Sequence, residues 1–486
     1  MNIKLLFRTV RHLKVTQIVH QVKNRIYKAK YVPKSAPAHT IPVLEIEPIP
    51  RYKSMDGEKF TFLNLTHHFT DWNFLGNGTL FTYNQNYFDF INTDDIETDE
   101  ACRWIDRFIA DQPSITWGMD PYPIALRSIN WMKFFCKHPE CVTKKREDTL
   151  WSQLCLLEEK LEYHLLGNHL LEDSYTLYIG GCYFNNIPLK QKGYKILIAQ
   201  LKEQTLPDGA HYEQSPMYHC ILLDRLLDCV NFGSTDELRI IAQKQLGWLE
   251  AICYKDGSWP MFNDAALGIA PTPCQIFNYA RRLGLSWGVG TLKESGYRKL
   301  SDSTVEAFVD CGHITATYQP GHSHADALNY ELRINGTPVV VDTGISTYDK
   351  TPRRQFERST MAHNCVSVNG KNSDEVWGGF RVGRHCNVKI VHEAHDKIEV
   401  YHDGFGKSCS RSFFLMNGIF TIVDKYDGDA ISYIHLAAGA DPGRVKIEGA
   451  SSIEIQDSNY SVEYNRFIDN KTIAIHFNGI VKYSIS

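Results

Sequence analysis

The stretch GHSHADALNYELRINGTPVVVDTG, residues 321–344, joins two histidines and two aspartates to two apolar segments separated by an Asn-Gly turn. The alternation in ALNYELRI and TPVVVD, together with this turn, predicts two antiparallel strands. If GHSHAD is extended, His322, His324 and Asp326 project to one face. The second strand runs back along the first and ends at Asp342, so this carboxylate is expected at the level of the histidines. The stretch therefore predicts a β-hairpin with ligand-type side chains at one end.

Polar and apolar residues also alternate downstream of this hairpin, in segments such as KIEVYHDG and IFTIVDKYD that are separated by Gly-containing turns. Residues 301–486 are therefore predicted to form an antiparallel β-sandwich domain. Upstream, EACRWIDRFIADQ, LWSQLCLLEEKLEYHLL and YHCILLDRLLDCVNF show the helical spacing of three and four. Residues 53–300 are predicted to form an incomplete (α/α) toroid of antiparallel helices. The fold class is multidomain α and β, with the functional site expected between the domains.

Residues 1–52 form a third unit, a basic amphipathic helix followed by the proline-rich connector YVPKSAPAHTIPVLEIEPIPRY. The helix has no acidic residue. Its apolar residues are interleaved with basic residues, which are Lys4, Arg8, Arg11, Lys14, Lys23, Arg25, Lys28 and Lys30. Such a helix indicates peripheral contact with an anionic membrane surface at the inner face of the membrane. The alternative is a helix that packs on the domain and leaves its basic side in water.

Composition limits the classes of partner. The formal charge of -4 lacks the basic excess of a nucleic-acid-binding protein, so no nucleic-acid partner is expected. The 13 cysteines are odd in number, scattered and without a CxxC pair, which favours a reducing compartment. The N-terminus has no apolar core of a signal peptide, so a cytoplasmic location is expected.

The histidine-rich corner also indicates a metal. Two imidazoles and a carboxylate from separate strands suit zinc better than calcium, which prefers more oxygen ligands. His363 opens the later segment HNCVSVNG and supplies a further imidazole. Histidines that only form hydrogen bonds inside the protein are the alternative.

The stretch 321–344, followed by STYDKTPRRQFERSTMAHNCVSVNG, resembles the heparinase II/III-type module of polysaccharide lyases. The resemblance implies that His322 is catalytic. It also implies that His324, Asp342 and His363 bind a divalent metal, usually zinc, near the active site, with His385 as another candidate for the third ligand.

Two upstream segments, GNHLLEDSYTLYIGG and DGAHYEQSPMYHCILLDRLLD, resemble helical elements of the same family. They imply that Asn168, His169 and Tyr218 are catalytic. The implied reaction is β-elimination on a uronate-containing polysaccharide, in which Asn168 and His169 neutralise the C6 carboxylate. Tyr218 acts as base and acid in syn elimination, provided that cationic neighbours depress its pKa. Alternatively, His322 is the base and Tyr218 the acid in anti elimination.

Substrate binding is expected from aromatic rings and bidentate donors near these segments. The predicted residues are Tyr122, Arg127, Trp131, Glu172, Tyr348, Arg354 and Arg358. The expected partner is an anionic polysaccharide or oligosaccharide. The basic N-terminus resembles that of relatives associated with bacterial capsule or exopolysaccharide production, which implies a self-made polymer as the substrate.

Other functions fit the same sequence. A uronyl C5-epimerase needs the same neutralisation and deprotonation but returns the proton. A non-catalytic polysaccharide-binding or assembly protein would keep the cleft without the chemistry. A glycoside hydrolase on a helical toroid would need two carboxylic acids, for which Asp208, Glu213 and Asp264 are candidates.

Overall fold

The computed structural model of the chain describes residues 3–486, and its N-terminal part is helical. The predicted toroid corresponds to helices α3 to α11. The helices are α1 Ile3–Val10, α2 Val15–Ile26, α3 Thr79–Tyr87, α4 Thr98–Asp111, α5 Pro121–Lys137, α6 Lys144–Lys160, α7 Gly167–Tyr183, α8 Ile187–Gln204, α9 Pro216–Gly233, α10 Asp236–Ile252, α11 Pro273–Arg282 and α12 Pro352–Glu357.

Helix α7 lies at the centre of the toroid and packs against α5, α8 and α9. Nearly all of its residues are buried, as expected of a helix enclosed by others rather than lying at a surface. A Cβ atom at Gly193 of α8 would lie 2.4 Å from the backbone nitrogen of Tyr178, so glycine permits the close approach of α7 and α8. This packing fixes the first turn of α7, which carries Asn168 and His169.

The C-terminal part is built from antiparallel strands, which confirms the predicted fold class. The strands are β1 Met55–Asp56, β2 Lys59–Phe62, β3 Leu65–His68, β4 Tyr297–Ser301, β5 Val305–Asp310, β6 Tyr330–Ile334, β7 Thr337–Val340, β8 Val366–Ser367, β9 Val376–Trp377, β10 Arg381–Val382, β11 Val388–Ala394, β12 Lys397–His402, β13 Cys409–Met416, β14 Ile419–His435, β15 Val445–Glu448, β16 Ser452–Glu463 and β17 Arg466–Ile485.

Two sheets form the β-sandwich. One has four strands in the order β4-β5-β6-β7, and the other has eight strands and includes the path β11-β12-β13-β14-β17-β15. Val305 and Leu332 of the first sheet share one hydrophobic core with Phe413 and Ile422 of the second. Strand β4 spans the predicted domain boundary, and β1 to β3 form a small sheet ahead of the toroid helices.

The segment GHSHAD does not enter a strand. Residues 321–329 form turns and irregular backbone, and β6 begins only at Tyr330. The expectation that alternation along a strand would bring His322, His324 and Asp326 together was therefore wrong. The two histidines approach each other because both bond to a residue outside the sandwich, whereas Asp326 Oδ2 is buried without a hydrogen-bond partner.

The N-terminal segment forms the two helices α1 and α2, which lie against both domains. Arg8 of α1 pairs with Glu375 at 2.9 Å, and the His12 ring nitrogen Nε2 lies 3.1 Å from the Gly383 carbonyl oxygen. Gln17 of α2 donates to the carbonyl oxygen of Leu165 at 3.0 Å. No helix within residues 3–486 has the length and apolar character needed to cross a bilayer.

Candidate active site

Asp264 lies between α10 and α11 at the interface of the two domains. Its carboxylate accepts hydrogen bonds from His322 Nδ1 and His324 Nε2, each at 2.8 Å. The Arg354 guanidinium, at the start of α12, donates two further hydrogen bonds, one of them from Nη2 at 2.7 Å. All four side chains are buried. The toroid therefore supplies the carboxylate, and the β-domain supplies the donors.

The charge on Asp264 is maintained by this arrangement. Burial opposes ionisation, but the Arg354 guanidinium and the histidine hydrogen bonds outweigh it and hold the pKa of Asp264 well below its usual range. A permanently ionised Asp264 fixes the proton of His322 on Nδ1. The other ring nitrogen, Nε2, is then left as an acceptor.

Nε2 of His322 faces the toroid helices. The Asn168 side-chain amide nitrogen lies 3.2 Å from it and donates to it, in agreement with the Nδ1-protonated tautomer. Glu213 Oε2 lies 3.8 Å from the same nitrogen, and Glu213 Oε1 accepts from the Asn168 backbone N–H at 3.1 Å. Asn168 Oδ1 is buried without a hydrogen-bond partner. Asn168 and His322, predicted from separate motifs, therefore meet.

Tyr218, near the start of α9, lies against the His322 ring with a centroid separation of 3.9 Å. Its hydroxyl is 3.2 Å from the Tyr348 hydroxyl, which in turn lies 3.5 Å from His322 Nδ1. Burial raises the pKa of the Tyr218 phenol well above its usual range, and nearby Tyr464 adds to this effect. The condition for Tyr218 to act as a base, a depressed pKa, is not met in this site.

His169 lies beside Tyr122 with ring centroids 4.9 Å apart, and its Nδ1 donates to Glu162 Oε2 at 3.0 Å. Burial opposes protonation of His169, but the Glu162 carboxylate outweighs it and raises the pKa of the imidazole. A cationic imidazole suits the neutralisation of a carboxylate. Glu162 therefore orients His169.

These side chains line a cavity of about 990 Å³ between the two domains. Its wall includes Asn168, His169, Tyr218, His322, Tyr122 and Tyr348. The predicted catalytic residues therefore share one cavity. Residues 153–278 match the family described as heparinase II/III N-terminus, and residues 286–436 match the heparinase II/III-like C-terminal family.

The chain belongs to the heparinase II/III-like family.

Curated relatives of this heparinase II/III-like chain are distant. A heparin-sulfate lyase of Bacteroides stercoris is 21% identical over 309 residues, which cover 56% of this chain and 46% of that protein. A heparin-sulfate lyase of Pedobacter heparinus is 24% identical over 242 residues, covering 42% and 36% of the two chains. The chain thus spans less than half the length of these relatives.

Solved structures confirm the architecture of the heparinase II/III-like chain. A crystal structure of heparinase III matches with a TM-score of 0.65 at 15% identity, covering 96% of this chain and 88% of that one. A heparan sulfate lyase from Pedobacter heparinus matches with a TM-score of 0.54 at 13% identity, covering 96% and 87%. At these identities, the likeness establishes the fold alone.

Two of the predicted substrate-binding residues, Tyr122 and Tyr348, line the cavity of the heparinase-like site, but two others do not reach it. Trp131 is fully buried in the aromatic core of the toroid. Arg127 is also fully buried; its Nε donates to Gln153 Oε1 at 2.7 Å, and its guanidinium lies over the Phe108 ring. These two predictions were wrong, because both side chains face the packed interior of α5.

Three further predicted substrate contacts are also buried outside the cavity wall. Arg354 is occupied by Asp264, and Arg358 donates to the Ser323 carbonyl oxygen, from Nη2 at 2.7 Å. Glu172 is fully buried in α7. The prediction that they bind substrate was wrong, because internal partners or burial remove each from the cavity. The arginines instead hold the 321–324 loop in place.

The predicted metal ligands lie together below the cavity. His363 Nδ1 donates to Asp342 Oδ2 at 2.8 Å, and the His324 and His363 rings are 5.2 Å apart. Burial lowers the pKa of His324 to about 3, so its imidazole is neutral. His324 Nδ1 and His363 Nε2 are both buried without hydrogen-bond partners. His385 lies elsewhere, stacked on His12.

The donor types and the two unpartnered nitrogens fit zinc, whereas the arrangement of the donors fits it less well. Across residues 3–486, no group of three or more His, Cys, Asp or Glu side chains is placed so that it could hold a metal ion. In the structure, His363 and Asp342 are joined to each other by a hydrogen bond.

The cavity also has residues that the sequence did not single out. Arg51, Arg225 and Arg381 line its wall. Arg51 and Arg225 are paired with Asp224, whereas the Arg381 side chain is exposed to solvent. Asp264 was considered only as a hydrolase acid, and its bonds to two histidines indicate a positioning role instead. No local sequence signal could identify them, because each reaches the site through a long-range contact.

Glu172 gives a prediction about stability. Both of its carboxylate oxygens are buried without hydrogen-bond partners, and the nearest cation, Arg225 Nε, is 3.7 Å away. Burial raises the pKa of Glu172 from 4.5 to about 7. The folded protein therefore holds this proton more tightly than the unfolded chain, and stability is lost as the pH rises through this range.

The side chain introduced by Glu172→Gln cannot ionise. When the pH rises from about 5 to about 8, we therefore expect the free energy of unfolding of the variant to increase by about 2 kcal/mol relative to that of wild type. Denaturant unfolding at both pH values measures the shift. A constant difference between the two proteins would contradict the raised pKa.

Proposed function

We propose that this chain is a polysaccharide lyase that cleaves a uronate-containing polysaccharide by β-elimination. The observation that carries the proposal is the convergence of Asn168, Tyr218 and His322 in one interdomain cavity, with contacts of 3.2 Å and 3.9 Å between them. The names of the two curated lyases agree with it. A binding protein would need neither an acceptor nitrogen nor a phenol at this position.

The first step is neutralisation of the substrate carboxylate. Asn168 can donate its amide hydrogen to a carboxylate oxygen at the cavity wall, and protonated His169 supplies a positive charge beside it. Both groups are held in advance, Asn168 by the packing of α7 and His169 by Glu162. Such preorganised donors stabilise the charge that develops on the carboxylate when C5 loses its proton.

The base role follows from the tautomer of His322, and the acid role follows from the burial of Tyr218. His322 Nε2 is the acceptor nitrogen and removes the C5 proton, while the electron pair forms the C4–C5 double bond. The bond from C4 to the leaving oxygen breaks, and Tyr218, whose raised pKa keeps its phenol protonated, donates a proton to that oxygen. Asp264 stabilises the imidazolium that results.

The reaction test uses ultraviolet absorbance, because elimination creates a double bond conjugated to the carboxylate. We expect absorbance to rise with at least one polymer of a uronate panel that begins with heparan sulfate. Tyr218→Phe should lower kcat by about 100-fold or more, since general acid catalysis contributes about 10²–10⁴. Tyr175→Phe is a matched control, because the Tyr175 hydroxyl is buried without a partner.

Other outcomes of this test favour the other functions. Uptake of deuterium at C5 from heavy water, without absorbance, would replace the lyase with an epimerase. Binding without either signal would leave a non-catalytic polysaccharide-binding protein. Equal rates for Tyr218→Phe and wild type would contradict the assigned acid. The capsule or exopolysaccharide setting and the cytoplasmic location stay predictions from the sequence.

We also propose that zinc binds to His324, Asp342 and His363. The support is the donor set and the buried, unpartnered nitrogens of both histidines. When bound, the metal would neutralise Asp342 and fix the base of the 321–324 loop.

Elemental analysis of the purified protein should find about one zinc per chain, and a chelator should lower the melting temperature. His363→Ala should lose the metal, whereas His385→Ala, the matched control, should keep it. Metal-free protein whose melting temperature does not respond to added zinc would contradict the site.

We further propose that α1 and α2 contact an anionic membrane surface. The support is an exposed apolar stripe at helical spacing, beside bases, consisting of Ile3, Phe7, Val10, Val15, Ile18, Val19, Val22 and Ile26. Phe7 is 71% exposed and Ile26 83% exposed. Surface helices of this type bury an apolar face at the lipid headgroups.

Sedimentation with vesicles measures this contact. Wild type should bind phosphatidylglycerol vesicles more than phosphatidylcholine vesicles, and added salt should weaken the binding. Phe7→Asp with Ile26→Asp should abolish binding, whereas Ile453→Asp, an exposed position on β16, should not change it. Equal recovery of wild type and the double variant with anionic vesicles would contradict the surface.

A further inference from the structure

Two separate bridges connect the toroid and the β-domain across the cavity. The first is the helix pair α1–α2. On the toroid side, Gln17 donates to the Leu165 carbonyl oxygen at 3.0 Å. On the β-domain side, Trp377 Nε1 donates to Thr9 Oγ1 at 3.0 Å, and Arg8 pairs with Glu375 at 2.9 Å. Residues of both helices, including Thr9 and Gln17, line the cavity.

The second bridge joins two tight turns. Asn64, between β2 and β3, donates from Nδ2 to Glu463 Oε2 at 2.9 Å and to the Tyr464 carbonyl oxygen at 3.0 Å. In return, Asn465 donates from Nδ2 to the Leu63 carbonyl oxygen at 2.9 Å. Leu63, Asn64, Glu463 and Tyr464 line the same cavity. This bridge shares no residue with the first one.

The cavity between these walls is partly open to solvent. Its volume of about 990 Å³ lies at the upper end of the range for sites that enclose a small ligand. A polymer bound through its middle needs an open groove with two exits. The two bridges cross from one domain to the other at the wall of this cavity, where they would limit the passage of a long chain.

We infer that the cavity takes the end of a uronate chain, or a short oligosaccharide, and that α2 recognises the terminal residues. This inference rests on the proposed lyase function and specifies its substrate. Gln21 and Arg25 follow Gln17 at four-residue intervals and line the cavity. A helix places such residues in one row. The row therefore presents an amide and a guanidinium to the chain end.

The side chains of Gln21 and Arg25 are both available for a ligand. Gln17 is 2% exposed and tied to two carbonyl oxygens, so it anchors the helix. Gln21 and Arg25 are exposed to solvent, and in the described chain no hydrogen bond or ion pair engages either of them. Arg25 can form a bidentate pair with a carboxylate or sulfate on the terminal sugar. Gln21 can bond to its hydroxyl groups.

Product analysis is the first arm of the test. Wild type acting on a long chain should release one class of short unsaturated oligosaccharide from the earliest time points, while the remaining polymer keeps nearly its full length. Arg25→Ala should raise KM about tenfold with a smaller change in kcat, as the loss of a hydrogen bond to a charged group predicts. Lys23→Ala is the matched control, because Lys23 belongs to the same helix but does not line the cavity.

The second arm does not depend on turnover. His322→Ala is titrated with chains of one composition and increasing length, and bound protein is counted per chain. One protein per chain at every length supports recognition of ends. Binding that increases in proportion to length, or early products of mixed intermediate length, would overturn the inference while leaving the lyase intact. If wild type does not cleave and the variant binds as one protein per chain, the proposed lyase activity is contradicted and the recognition of chain ends is supported. If there is neither cleavage nor binding, both proposals are contradicted.

Discussion

The ionised carboxylate of Asp264 is the constraint on which the site depends. A buried carboxylate is stable only when it is paired and fully hydrogen-bonded, and Asp264 obtains its partners from the β-domain. His322, His324 and Arg354 converge on it. The toroid and the sandwich are therefore joined through a charge that neither domain satisfies alone, and their relative placement determines the geometry of the cavity.

In the proposed mechanism, this arrangement separates two chemical roles. Asp264 holds the proton of His322 on Nδ1 and leaves Nε2 as an acceptor, while burial keeps the phenol of Tyr218 protonated. Neighbouring groups whose environments favour opposite proton states form an acid and a base. Tyr348 contacts both groups and extends the hydrogen-bonded system towards the second bridge through its ring contact with Tyr464.

The N-terminal helices connect the surface of the protein to the same cavity. Their inner side reaches both domains through Gln17 and Arg8, and their outer side exposes an apolar stripe. Contacts around the junction of the two helices, including those of His12 and Gln17, hold the pair against both domains. The element that is proposed to contact a membrane surface therefore also borders the cavity that is proposed to bind substrate.

The sequence alone was sufficient to predict the order of the folded units and several of the residues that meet in the cavity. Apolar residues repeat about every 3.6 residues in the toroid and every 2 residues in the sandwich. This difference distinguished the two domains, because the repeat follows the side of a helix or strand that faces the core. Asn168, Tyr218 and His322 were identified from their motifs. Tertiary structure decided the rest, since side-chain identity does not reveal a partner distant in the chain. Arg127 and Trp131 face the core, Arg354 is held by Asp264, and His169 pairs with Glu162 rather than Glu172. The raised pKa of Tyr218 was likewise beyond sequence reasoning, because burial and the nearby Tyr464 determine it.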